Sequence, residues 1–201
     1  MLNNILTNWN KTFKNHLSFL NHDSVEITES APNAKLKELT IEIPEAILFP
    51  TKDFDAFDLF GSLSNKNCDG AIMVHNLDNT YDLVFVEMKS KFSTKEVFDA
   101  KEQIIESRIK LQVLLNSLST HNGYPIRSAY GIITTLKLDD DQRNLWSKLQ
   151  MLPDDKLNFG WKLVKYKSLN APVLYDDRFN LPQTMDFRLH FSDSQNLNIK
   201  L

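Results

Sequence analysis

The sequence predicts an α/β fold in which a mixed β-sheet is flanked by helices. Three observations predict it. First, residues 68–75 (CDGAIMVH) and 81–89 (YDLVFVEMK) read as two strands, separated by the turn formers Asn76-Leu77-Asp78-Asn79-Thr80. Second, a long amphipathic helix follows directly. Third, the buried-type run 126–136 (IRSAYGIITTL) comes after that helix. A hairpin continued by a strand–helix–strand crossover generates a mixed sheet with helices packed on it.

The remaining elements are read in chain order. Leu2, Ile5, Leu6, Trp9, Phe13, Leu17 and Leu20 fall on one helical face, which predicts a helix over 2–20. Leu39 to Ile43 alternates as a short strand ending before Pro44. Residues 45–63 carry Phe49, Phe54, Phe57 and Phe60 among acids, and are read as a helix with an irregular entry. After the hairpin, Ser93 or Thr94 is the N-cap of a helix reaching about Ser117, with Glu96 in its first turn. Its stripe is Val97, Ile104, Leu111 and Leu118, flanked by Ala100, Ile105 and Leu115. His121-Asn122-Gly123 closes it. Asp139-Asp140-Asp141 is expected to open a further helix through Leu149. Trp161 to Tyr166 (WKLVKY) is read as a strand, and Leu174-Tyr175 and Phe187 to Phe191 as short strands of the tail.

Length and composition bound the chemistry. The 201 residues predict one domain over 1–201, with a core over roughly 36–166 and the N-terminal helix and C-terminal tail as appendages. At 42% hydrophobic and 24% charged, the chain can bury a sizeable core. A net charge of −3 argues against a generally basic nucleic-acid binder, though not against a local positive surface. The single cysteine, Cys68, excludes an internal disulfide and a cysteine-rich zinc site. No apolar leader or bilayer-length stretch is present, so a cytoplasmic location with no membrane partner is expected.

The candidate chemistry lies at one end of the hairpin. Glu87-Met88-Lys89 ends the second strand, and a turn centred on Asp78 places Asp69 opposite Glu87. A two-residue Asp78-Asn79 turn would instead put Asp69 opposite Met88. An acid-x-Lys match occurs by chance about once in a chain of this size. Asp154-Asp155-Lys156 is the internal control, since it follows Pro153 in a polar stretch without strand pattern. Facing carboxylates destabilise a strand pair unless something positive compensates, either Lys89 or a bound hard cation such as Mg²⁺ or Mn²⁺. The alternative is an ordinary ion pair at a solvated sheet end.

Other constellations lack support. His16, His22, His75, His121 and His190 contain no i, i+4 pair of the zinc-protease type. No Gly-x-x-x-x-Gly-Lys loop exists among the five glycines. Asp53, Asp55 and Asp58 lack the glycine and glutamate of a calcium loop. Cys68 reads as a buried free thiol.

Asp69, then Glu87-Met88-Lys89 at the end of the next strand, then a long helix and a buried strand resemble the PD-(D/E)XK phosphodiesterase superfamily, the restriction-endonuclease-like fold. The resemblance covers 68–136, and Cys68 stands where the family name has proline. It implies that Asp69 and Glu87 hold one or two Mg²⁺ ions, with the Met88 carbonyl as a further ligand. Lys89 would orient the attacking water and stabilise charge on the phosphate. RecB-type members carry Gln-x-x-x-Tyr on the following helix; here Gln103 occupies the place, but Ser107 stands four residues on. An upstream acid is sought at Glu45 first, then Glu42 and Glu38. Lys91, Lys95, Lys101, Arg108 and Lys110 are candidate phosphate contacts, interleaved with acids that suggest ordinary surface pairing.

The implied activity is Mg²⁺-dependent hydrolysis of DNA, ahead of RNA, as an endonuclease in prokaryotic antiviral defence. One catalytic centre cuts one strand, so double-strand cleavage would require a homo-oligomer or two events. The competing expectation is a non-catalytic interaction or assembly subunit on the same scaffold, bound to a partner protein.

Overall fold

The computed structural model describes residues 2–12, 19–20, 23–29, 31–43, 45–56, 67–118, 124–137, 144, 155–172 and 184–201. Their elements in order are α1 (Leu2–Thr12), β1 (Phe19–Leu20), β2 (Ser24–Thr28), β3 (Glu38–Glu42) and β4 (Ala46–Phe49). A 3-10 turn, Thr51–Ala56, precedes β5 (Gly70–His75), β6 (Tyr81–Lys89), α2 (Thr94–Leu118) and β7 (Ile126–Leu136). The chain ends with α3 (Asp155–Tyr166), β8 (Ser168–Pro172), β9 (Thr184–Ser192) and β10 (Asn196–Lys200).

Strand β6 is central. Its neighbours are β5, antiparallel, and β7, parallel, within a mixed sheet of order β1-β4-β5-β6-β7-β9-β8. Both of its faces are covered, which is why it reads as a continuous apolar run rather than an alternating one. Tyr81, Leu83 and Phe85 face a core shared with Trp9 of α1, Val97, Ile104 and Leu111 of α2, and Phe159 and Leu163 of α3. Val84, Val86 and Met88 point the other way. There they meet Val25, Ile27, Leu39, Ile41 and Ile199 from a second sheet, order β10-β3-β2. The layers are therefore helices, large mixed sheet, small sheet.

The coarse expectation of a mixed sheet flanked by helices is met, and Ser93 caps α2, its Oγ accepting from Glu96 N at 3.1 Å. Several local expectations are corrected. Trp161 to Tyr166 is the last half of a helix rather than a strand. Phe159 and Leu163, four residues apart, are both buried, and Phe159 meets Phe187 of β9 edge-on at 5.3 Å. The first helix is described over Leu2–Thr12, residues 13–18 lie outside the described residues, and Phe19–Leu20 is a strand paired with β4. Ala46–Phe49 is a strand, because its neighbour β5 offers it an open edge; a 3-10 turn follows over Thr51–Ala56, and residues 57–63 lie outside the described residues. The tail supplies β9 beside β7 and β10 beside β3, so it completes both sheets. The helix expected over 139–149, the segment 174–175 and Asp58 lie outside the described residues, apart from Asn144, which is helical.

Candidate active site

The turn after β5 fixes the register on which the site depends. Asp78 Oδ1 accepts from Thr80 N at 3.1 Å and Thr80 Oγ1 at 2.6 Å, and Asn79 takes a left-handed φ of 61° that asparagine tolerates well. Asn76 N closes the loop on Thr80 O at 2.9 Å. Pairing then runs His75 with Tyr81, Met73 with Leu83 and Gly70 with Val86, so the next positions are Asp69 and Glu87. Of the two turns the sequence allows, this is the one centred on Asp78.

Side-chain alternation sends Asp69, Glu87 and Lys89 to the α2 face, with Ala71 and Phe85 behind them. The acids interlock through backbone amides. Asp69 N donates to Glu87 Oε2 at 3.2 Å, and Met88 N donates to Asp69 Oδ2 at 2.7 Å. Lys89 Nζ lies 2.6 Å from Glu87 Oε1 and 2.7 Å from Gln103 Oε1. Gln103 Nε2 in turn donates to Asn67 O at 3.3 Å, and Lys110 Nζ to Asn67 Oδ1 at 2.8 Å. One turn of α2 further on, Ser107 Oγ accepts from Cys68 N at 2.8 Å. Thus α2 holds both the lysine and the strand that carries Asp69. Ser107 receives the backbone of the residue next to Asp69.

The electrostatics separate this pair from other acids of the hairpin. Burial first, and then the Glu87 charge, push the Asp69 carboxyl from its ordinary 3.8 up to about 8. Burial likewise pushes Glu87 up to about 7, against the opposing pull of Lys89. The two titrate as a unit that retains protons near neutral pH. Asp82, buried on the same strand, behaves oppositely. Burial raises it, but hydrogen bonds from Arg127 and Ser128 outweigh that and hold it below the ordinary range. Cys68 is pushed up to about 12, chiefly by burial, so its thiol is inert at neutral pH.

A third acid joins the pair electrostatically, and sequence reasoning passed over it. Glu29 raises the pKa of both Asp69 and Glu87. Its place follows from Gly70, where an added methyl would come within 2.4 Å of Ile27 Cδ1. The missing side chain lets β2 close onto the hairpin, and Glu29 follows at the end of that strand. The loop then reaches Ser90, whose Oγ accepts from Lys35 N at 2.9 Å. The available signal was the alternation of Val25, Ile27 and Glu29 in a short strand.

The favoured upstream acid is placed elsewhere. Glu45 pairs with His75 at 3.2 Å, at the opposite end of β5 and about 20 Å of strand away from Asp69. Glu42 lines a cavity of about 220 Å³ with Val84, Tyr130 and Arg188 between the two sheets, also remote from the acid pair. Glu38 lies in register with Thr28. Arg108 and Lys110 are buried, which removes them from the surface expected to meet phosphates. Lys91 and Lys95 are exposed, and Lys95 pairs with Asp99.

Among the described residues, no set of three or more His, Cys, Asp or Glu side chains is arranged to hold a metal ion. A cation here would rest on Asp69 and Glu87, a backbone oxygen, water and substrate. That donor set fits Mg²⁺, which commonly uses one or two carboxylates and keeps several waters. The mutual repulsion of the pair is what a divalent cation would relieve. No helix among the described residues is long and apolar enough to cross a membrane. Neither a family model, nor a curated protein, nor a solved structure matches the chain.

Proposed function

We propose that the chain is a divalent-cation-dependent nuclease that hydrolyses phosphodiester bonds in DNA. The observation that carries this reading is the mutually repelling pair of half-buried Asp69 and buried Glu87, with the Lys89 ammonium held between Glu87 and Gln103. Desolvating two carboxylates side by side is costly and calls for a reason beyond the fold. The order of elements also supports it. An antiparallel meander of β4, β5 and β6 is followed by α2 and by a strand parallel to β6. That order is compatible with a restriction-endonuclease-like core and with the resemblance carried by Asp69 and Glu87-Met88-Lys89.

The roles follow from the chemistry. Asp69 and Glu87, with the Met88 carbonyl, would hold Mg²⁺ or Mn²⁺. Bound there, the cation would acidify a water and neutralise charge on the phosphate. Lys89 is fixed by Gln103, so its charge is preorganised toward the phosphate instead of free to rotate. Gln103 is thereby a positioning residue.

Purified protein is expected to nick supercoiled DNA with Mg²⁺ or Mn²⁺ and to lose this with chelator. Undiminished cleavage by Lys89→Ala and Asp69→Ala variants would refute the assignment. The second reading, a non-catalytic assembly subunit, draws on one observation: Glu87 is already ion-paired and both acids already accept backbone amides. It expects no metal-dependent thermal shift and no cleavage.

A further inference from the structure

Residues 161–167 carry three lysines, Lys162, Lys165 and Lys167, and no acid. In a chain of net charge −3 this is a local positive surface. Aromatic rings are interleaved with it. Lys165 Nζ stands 4.8 Å from the Trp161 ring centre and 5.1 Å from that of Tyr166, and Tyr166 is 57% exposed.

Lys167 is the most informative member. It follows α3 with a left-handed φ of 61°, and its N–H closes the helix on Leu163 O at 2.9 Å. That is the helix-ending position where glycine is favoured, and a side chain there is strained. The lysine placed there sets its Nζ 4.2 Å from the Phe191 ring centre. Phe191 in turn packs on Phe92, three residues after Lys89, at 5.6 Å. Strand register connects the same points: Lys89 pairs with Thr135, and Thr135 with Phe191. Two strand spacings separate Lys89 from Phe191, about 10 Å. That is about three base steps at the ~3.4 Å rise of one strand.

From this continuity we infer that the corner of Trp161, Lys165, Tyr166, Lys167 and Phe191 seats a single-stranded DNA flank leading from the Lys89 end of the sheet. The inference deepens the nuclease reading and rests on it. The exposed Tyr166 ring and the half-buried Trp161 and Phe191 rings offer stacking surface to unpaired bases of any sequence, lysines between them meet the phosphates, and a duplex offers neither its base faces nor the same backbone path.

The test is fluorescence anisotropy of a labelled oligothymidylate with the full chain in chelator, where no cleavage occurs. Lys165→Gln and Lys167→Gly are each expected to weaken binding about three- to tenfold and to flatten its salt dependence. Trp161→Ala is expected to weaken it about tenfold or more. Lys167→Gly also controls for folding, since glycine suits that backbone and its melting temperature should be equal or higher. A duplex of the same length should bind more weakly. Unchanged affinity in all three variants, or equal binding of duplex, overturns the inference. Binding as expected without cleavage in Mg²⁺ would leave this surface standing and remove the nuclease reading. Cleavage with binding untouched by the three substitutions would do the reverse.

Discussion

Replacing Asp69 by asparagine should stabilise the metal-free protein, and the gain should depend on pH. The Asp69 carboxyl rises from 3.8 to about 8 on folding, because it is buried and faces Glu87. At about 1.4 kcal/mol per pKa unit, its charged form is disfavoured by at most roughly 5–6 kcal/mol. Solvent at the open edge and relaxation around Lys89 reduce this, and about 1–3 kcal/mol is expected at high pH. For a chain of this size that is a rise in Tm of about 3–9 °C. Asparagine keeps the oxygen that Met88 N needs at 2.7 Å. The direction follows from linkage. A carboxyl with a raised folded pKa contributes full stability below its unfolded value near 4, and loses it as pH rises through the folded value. The variant's advantage should therefore be small at pH 4.5, grow through pH 6 and 7, and be nearly complete by pH 8.5. Thermal denaturation in chelator across that range measures it. Destabilisation of equal size at pH 4.5 and 8.5 would refute the reasoning, since Asp69 would then be a structural acceptor rather than a strained charge.

Four further outcomes are expected. The thermal shift produced by Mg²⁺ should grow from pH 6 to pH 8.5, with affinity rising up to about tenfold per pH unit for each proton displaced, and should vanish in Asp69→Asn. Gln103→Ala releases the Lys89 ammonium and should slow plasmid nicking about 10- to 100-fold while leaving the Tm within a few degrees. Ser107→Ala leaves the buried Cys68 N–H without its acceptor and should lower stability by about 1–3 kcal/mol in urea denaturation. Glu29→Gln should move the pH midpoint of the Mg²⁺ response to lower pH, whereas Glu45→Gln, beside His75, should leave nicking and that midpoint unchanged.

The hairpin was legible because its information is local. The Asp78–Thr80 turn fixes the pairing, and a correct register carries Asp69, Glu87 and Lys89 to one face without further assumption. Gln103 was legible only as a place in a pattern, with a solvated helix position as the stronger competing reading; its contact with Lys89 comes from the packing of α2 over β6. The failures are where local pattern is ambiguous or distant partners decide. Six residues such as WKLVKY fit a strand period as well as a helix period; the buried pair Phe159 and Leu163 settles it, and that pair straddles the window. Glu29 could not be ranked above Glu45, because its proximity depends on the closure of β2 over Gly70, a contact between residues 43 positions apart. Glu45 came first as the upstream acid that the resemblance implies, yet a strand carries its two ends far apart, and Glu45 meets the wrong one.

The same strand also supplies the comparison that gives the acid pair its meaning. Asp82 and Glu87 both lie on β6, and both are buried. Asp82 is matched by Arg127 and Ser128, and its carboxyl stays below the ordinary range. Glu87 has Lys89 at 2.6 Å and is still raised to about 7. Lys89 therefore falls short of neutralising the site, although it touches one of the acids directly. Arg127 shows that this hairpin can match an acid fully, with a guanidinium and a hydroxyl on the adjacent strand. At the Asp69 end, two acids share one lysine, and Gln103 draws part of that lysine's hydrogen bonding away. When both acids ionise, Lys89 alone leaves a negative charge that a bound divalent cation would offset. Its relief by Mg²⁺ and its relief by Asp69→Asn are thus two measurements of one quantity, and their pH dependences should coincide.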